Sequence, residues 1–281
     1  MGINLEYVTL LSSLCDRKLL PIQGKVLEFG AQDISADTKA IADHARRCGV
    51  KHYSVTIDSA PALYDLFGLC EYTCIDATSE LGALAYDLNT NLLTTYGFAD
   101  QFDLVTDLGT FEHCFDIASA FCNAHEVCKI GGLMIHALPS NCNANHGYYA
   151  IQPRMIADLA AANGYDIIDF AFTVDYSPTL YRFDLANYQA YDDRDLMIYT
   201  VLQKNTEAGF RLPFDSIFTD KNTLPEYQRL YAPKNFSSYI KSSWSNIKPT
   251  VIDQVPIEMQ TVPPRYRIWL KQLIDHIGRW Y

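Results

Sequence analysis

The chain has 281 residues, 49% of them hydrophobic, and a mean hydropathy of −0.06, enough for one large globular domain with an elaboration. A net charge of −11 speaks against a nucleic-acid partner, which needs a basic face. No apolar run approaches membrane-spanning length, so no integral membrane segment is expected.

Residues 1–20 include Glu6, Asp16, Arg17 and Lys18 and no small-residue cleavage site, so no secretory leader is expected. Eight cysteines without a Cys-x-x-Cys pair point to reduced thiols and a cytoplasmic location. Leu5, Val8, Leu11, Cys15 and Leu19 recur at helical spacing, and Pro21 and Gly24 end that helix. Lys25 to Asp33 then reads as a buried strand, Val26–Phe29, closed by a turn at Gly30. Glu28 is an acid inside this apolar strand and needs a polar partner. Glycine at the tip of a first strand lets a ligand approach the backbone.

Ser35 is placed to cap a helix running to Cys48, with Gly49 as its stop. A strand over His52–Ile57 ends in Asp58, and Pro61 opens a short helix. The next strand, Tyr72–Ile75, ends in Asp76. Leu81, Leu84, Ala85, Leu88, Leu92 and Leu93 predict a helix from Glu80 to Tyr96. A strand over Phe102–Thr106 ends in Asp107 and continues as Leu108-Gly109-Thr110-Phe111-Glu112-His113. A helix from Asp116 to Lys129, a strand over Leu133–Leu138 and a helix from Pro153 to Ala162 follow. Tyr165–Val174 and Leu196–Lys204 form a final strand pair around a tyrosine-rich insertion, Asp175–Asp195. Beyond Asn205 prolines and aromatics increase. Tyr266, Trp269, Leu270, Leu273, Ile277 and Trp280 mark an amphipathic helix over Arg265–Tyr281, whose apolar stripe suits intramolecular packing or self-association into a homo-oligomer.

Strands alternating with helices imply a doubly wound parallel sheet. Glu28, Asp58, Asp76 and Asp107 stand at or near the carboxyl ends of successive strands, the edge where such sheets bind ligands. A shared grip by these acids on one polar ligand is the expectation.

This arrangement resembles the class I S-adenosylmethionine-dependent methyltransferases over about residues 22–204. Gly109-Thr-Phe-Glu-His113 and Asn145-His-Gly-Tyr-Tyr149 look more narrowly like bacterial methyltransferases of polysaccharide and secondary-metabolite pathways. The resemblance implies a Rossmann-like sheet of seven strands with the last pair antiparallel, preceded by a helix (1–21) and followed by a helical and irregular extension (205–281). It implies S-adenosyl-L-methionine as cofactor and a small-molecule or sugar acceptor, methylated at oxygen. By position, Glu28 and Gly30 would meet the methionyl part, Asp58 the ribose hydroxyls, and Asp76 and Ala77 the adenine. Asp107, Leu108 and Gly109 would floor the cavity near the transferred methyl. The family's three-glycine turn is here Gly30-Ala31-Gln32-Asp33-Ile34, so Gln32 or Asp33 is expected to contact the cofactor instead.

Removing the proton of a hydroxyl acceptor suits histidine. His113 and His146 are the candidate bases and His136, inside a strand, a core residue. Glu112 is expected to orient a histidine or bind the acceptor, with a helix-start acid as the plainer role. A metal held by His113, His146 and a carboxylate is the minor alternative, since such ligands bind divalent cations, but no ligand spacing is diagnostic and none is expected. A non-catalytic binding or assembly subunit is the alternative from another class. A nicotinamide enzyme is disfavoured by the missing glycine fingerprint.

Overall fold

A computed structural model describes residues 2–47, 57–183 and 188–214. The strand expected over His52–Ile57 (except Ile57), the terminal helix Arg265–Tyr281 and most of the extension lie outside the described residues. The strands are β1 (Lys25–Phe29), β2 (Glu71–Asp76), β3 (Leu84–Ala85), β4 (Phe102–Leu108), β5 (Cys128–Pro139), β6 (Tyr165–Val174), β7 (Tyr181–Arg182) and β8 (Leu196–Lys204). The helices are α1 (Leu5–Asp16), α2 (Thr38–Arg47), α3 (Ala60–Leu66), α4 (Leu92–Tyr96), α5 (Ile117–Val127) and α6 (Pro153–Asn163).

Among the described residues the strands form one sheet of eight, in the order β3-β2-β1-β4-β5-β8-β6-β7. The first five neighbours are parallel, and β8 runs antiparallel to both β5 and β6. This is the doubly wound Rossmann-like sheet with an antiparallel end. Its count exceeds seven because two-residue strands at β3 and β7 pair at the edges.

Side chains alternate across the sheet and build a core on each face. Leu27, Phe29, Val105 and Met134 pack with α5 and α6, whereas Val26, Leu104, Leu133 and Ile135 pack with α1 and α3. Asn4 caps α1 by accepting from the Tyr7 N–H at 2.9 Å, and Arg17, just past α1, pairs with Asp169 of β6 at 2.6 Å.

The strand directly beside β1 is Glu71–Asp76. One sequence expectation is corrected here. The helix expected from Glu80 to Tyr96 is instead a single turn at Glu80–Gly82, the short β3, a loop and α4. Leu84 and Ala85 gain backbone bonds by pairing with Ile75 and Asp76. Asp87 accepts the Asn89 N–H at 2.9 Å and Asn91 accepts the Thr94 N–H at 2.9 Å. The Asp87 bond to a nearby amide competes with helix formation, the Asn91 bond caps the start of the separate helix α4, and Leu81, counted in the apolar stripe, is 65% exposed.

Glu28 shares a face with Val26 and therefore points into the α1/α3 core, away from the sheet's ligand-binding edge. It is fully buried, accepting from the hydroxyls of Tyr64 at 2.8 Å and Tyr72 at 2.7 Å. Burial pushes its carboxyl up from 4.5 to about 7, with the two tyrosine hydrogen bonds pulling the other way. The folded state thus holds this proton more tightly than the unfolded chain, so its contribution to stability is complete below about pH 4.5 and is lost as pH rises through about 7. Glu28→Gln keeps an acceptor for the hydroxyls and should remove that decline. The difference in unfolding free energy between wild type and variant should change by on the order of 3 kcal/mol across this window. Denaturant titrations giving parallel pH profiles for the two proteins would contradict it.

Candidate functional site

The tips of β1, β2, β3 and β4 surround a cavity of about 520 Å³. Gly30, Ala31 and Gln32 form one wall, Asp76 and Ala77 the next, Ala85 to Asn89 a third, and Gly109, Thr110, His113 and Cys114 the fourth.

Gly30 turns the chain out of β1 at φ +84°, a conformation that favours glycine. A Cβ there would stand 2.1 Å from the hydroxyl of Thr110, which donates to the Phe29 carbonyl at 2.9 Å. The turn and the end of β4 thus pack against each other only because Gly30 has no side chain. The next amide, Ala31 N–H, donates to Asp76 Oδ2 at 2.8 Å. Thr78 N–H donates to Asp76 Oδ1 at 3.0 Å. Those two bonds fix the carboxylate and leave lone pairs for further donors. Gln32 is 6% exposed, lines the cavity and has a side-chain oxygen with no hydrogen-bond partner. A buried acceptor in that state needs a donor.

The loop after β3 brings Tyr86, Asp87, Leu88 and Asn89 to the cavity. Tyr86 stacks on Tyr96, ring centroids 4.1 Å apart, and the Asp87 N–H donates to the Tyr96 hydroxyl at 2.9 Å. Buried Asn123 of α5 holds this loop from behind. It accepts the Leu92 N–H at 3.0 Å and donates to the carbonyls of Thr90 at 2.9 Å and Leu88 at 3.4 Å.

Asp107 stands behind the cavity rather than in it. Its Oδ1 accepts from the amides of Thr110 at 3.0 Å and Phe111 at 3.1 Å, and its Oδ2 lies 3.1 Å from Nδ1 of buried His136. It therefore holds the turn at Phe111–His113 that delivers the neighbouring acid and histidine. Glu112 is fully buried, and neither of its carboxylate oxygens has a hydrogen-bond partner. Burial foremost, then the charge of Asp107, pushes its carboxyl up to about 8. His146 Nε2 lies 3.4 Å and His113 Nε2 3.7 Å from its Oε1. Burial, and then His146, lowers the pKa of His113.

The loop carrying His146 reaches Glu112 because Gly147 permits it: a Cβ there would meet Glu112 Cγ at 2.9 Å. The Tyr148 N–H donates to the Glu112 carbonyl at 2.8 Å. Farther back, Asn143 anchors the loop, donating to Asp195 Oδ1 at 2.8 Å and to the Leu196 carbonyl at 2.9 Å.

Of the residues expected from the sequence, Gly30, Gln32, Asp76, Ala77, Gly109 and His113 line the cavity, and Glu112 and His146 adjoin it through His113. Glu28, Asp33, Asp58, Asp107 and Leu108 are not part of its lining. Glu28 and Leu108 face the core, Asp107 is a buried structural acid, and Asp33 and Asp58 are exposed elsewhere. Of Glu28, Asp58 and Asp76, only Asp76 lines this cavity. Asp76 ends the strand beside β1, and Asp87 follows the strand beyond it. Tyr86, Asp87 and Asn89 were missed because a leucine stripe masked the loop; the Asp87-Leu-Asn-Thr90 run of turn-forming polar residues was the available signal. Cys114 also lines the cavity, but burial first and nearby acids second push its thiol up to about 12, which argues against a nucleophile.

No family model matches this chain, and no curated protein does. Among solved structures it is similar to a TehB-like SAM-dependent methyltransferase of Corynebacterium glutamicum, at 14% identity and TM-score 0.35, over 69% of this chain and 88% of that one. It is similar to the 1,6-didemethyltoxoflavin-N1-methyltransferase of Burkholderia thailandensis, at 11% identity and TM-score 0.41, over 70% and 78%. It is also similar to an O-methyltransferase from a trans-AT PKS multienzyme of Brevibacillus brevis, at 10% identity and TM-score 0.44, over 84% and 76%. At these identities and TM-scores the likeness does not decide activity, cofactor or substrate.

Asn123 is not itself a lining residue and meets the cavity wall through the Leu88 carbonyl. Asn123→Ala should leave the Leu92 amide and two carbonyls without their partner and cost about 2 kcal/mol of stability. Protease cleavage within 86–96 should accelerate. An unchanged melting temperature together with an unchanged cleavage rate would show that the loop does not depend on this side chain.

Proposed function

We propose that this chain is an S-adenosylmethionine-dependent methyltransferase acting at oxygen on a small or carbohydrate-like acceptor. The observation that carries the reading is the polarity of the cavity. Its wall presents the carboxylates of Asp76 and Asp87 and the unpartnered oxygen of Gln32. The cofactor offers ribose hydroxyls, an adenine amine and an ammonium, all donors. The one backbone amide a pyrophosphate would want at the first turn, Ala31 N–H, already donates to Asp76, which disfavours a nicotinamide dinucleotide.

Asp76 would hold the ribose hydroxyls, being the acid at the tip of the strand beside β1. Asp87 and the stacked Tyr86 would flank the adenine, and Gln32 with the Gly30 turn would receive the methionyl ammonium. The cofactor supplies an electrophilic methyl group on a sulfonium. The protein's task is to align an acceptor with it and exclude water. The acceptor would enter where His113, His146 and Glu112 gather, and its hydroxyl proton would be lost there. Phe115 and Tyr148, exposed and packed edge to face at 5.9 Å, offer a surface for a ring or sugar. Residues 22–204 would carry both binding sites.

Two measurements test this reading. In calorimetric titrations S-adenosylmethionine and its demethylated product should both bind, and Asp76→Ala should weaken binding at least about tenfold, as loss of charged hydrogen bonds to two hydroxyls implies. Asp58→Ala should leave binding unchanged. The absence of heat with either ligand would overturn the proposal, and sensitivity at Asp58 with none at Asp76 would overturn the strand assignment. His146→Ala should keep cofactor affinity and lower turnover on an accepted substrate by about 10²-fold or more; a wild-type rate would remove His146 from the chemistry.

A further inference from the structure

Glu112, His113 and His146 are close enough to act on one atom. One ligand atom from each can be chosen so that all lie within 4.8 Å of one another. The carboxylate oxygen stands 3.4 Å from one imidazole nitrogen and 3.7 Å from the other. Three donors at the usual ~2.0–2.1 Å from a tetrahedral ion would be roughly 3.3 Å apart, so small side-chain rotations close the set.

The cluster alone would prove little, since exposed histidines meet acids often. The second observation is Glu112 itself. It is fully inaccessible, both carboxylate oxygens lack a hydrogen-bond partner, and it is aimed at the two imidazoles. A buried carboxylate in that state is costly unless a cation compensates it. The surrounding backbone builds the arrangement: Asp107 fixes the turn that presents Glu112 and His113, and Gly147 lets the His146 loop close on it.

We infer that Glu112, His113 and His146 form a binding site for a divalent first-row transition ion at the rim of the cavity. Two imidazoles and one carboxylate are the donor set for such ions with coordination positions left open, and they do not suit magnesium or calcium. The site stands on this geometry whether or not the cavity takes S-adenosylmethionine. Its use in turnover rests on the methyltransferase reading. An acceptor hydroxyl bound at an open position would be acidified by the ion, and its proton would leave to solvent while the imidazoles serve as ligands rather than bases.

The full-length protein, stripped with a chelator and returned to metal-free buffer, is titrated with Co²⁺, whose visible absorption reports its ligand set. One equivalent should bind. Glu112→Gln and His146→Ala should each weaken binding beyond the ~10-fold that even outer-shell changes cause, with melting curves confirming that both variants fold. His44→Ala, on α2, should bind as wild type does. Affinity indifferent to both substitutions, or no uptake above that of a variant carrying both Glu112→Gln and His146→Ala, overturns the site. A parallel titration with S-adenosylhomocysteine separates the two readings. Nucleoside binding without Co²⁺ uptake overturns the metal site and leaves an imidazole base, whereas Co²⁺ uptake without nucleoside binding supports the site and overturns the methyltransferase reading.

Discussion

The hydrogen bond from the Ala31 amide to Asp76 ties the tips of β1 and β2 together, and the candidate site is laid out around it. It exists because β2 is the immediate parallel neighbour of β1, with Phe29 opposite Ile75 in register. That register places an acid at the first turn and orients its carboxylate. It also takes up the amide that a phosphate would otherwise claim. The glycine turn here presents acceptors at the cavity rather than a free amide, which is the inverse of a phosphate-binding turn.

The acids of this sheet divide into structural and ligand-facing sets according to the face and depth each strand position imposes. Glu28 is one residue short of the strand end, and the alternation of side chains sends it into the core against two tyrosine hydroxyls. Asp107, likewise one residue short of the end of its strand, is consumed by two backbone amides and His136. Asp76 and Asp87 end or follow their strands beside the cavity. Fewer carboxylates line the cavity than the strand-tip pattern implies, and Asp107 stands behind it, holding the turn that carries Glu112 and His113.

The sheet and most of its elements are legible in the sequence because apolar runs bounded by glycine, proline and acids translate directly into buried parallel strands. The cluster of Glu112, His113 and His146 is legible for the same reason, since both loops leave the carboxyl edge. What misled was periodicity. Leucines at helical spacing between Glu80 and Tyr96 conceal a short edge strand and a loop held by the side chains of Asp87, Asn91 and Asn123. Neighbour relations were also hidden: nothing local in Tyr72–Ile75 says that it pairs with β1, because strand order is a property of the whole sheet. Assigning roles by order along the chain therefore gave the ribose-binding role to Asp58, whereas the acid ending the strand beside β1 is Asp76, and it left Asp87 unmentioned.

The central claim is that the nucleoside is gripped by Asp76, at the tip of the strand paired with β1. A crystal structure of the protein with S-adenosylhomocysteine tests it most directly. The account predicts the ribose hydroxyls on the Asp76 carboxylate, the adenine beside Tyr86 and Asp87, and the amino group at Gln32. A nucleoside seated at Asp58, or outside this cavity altogether, would contradict it.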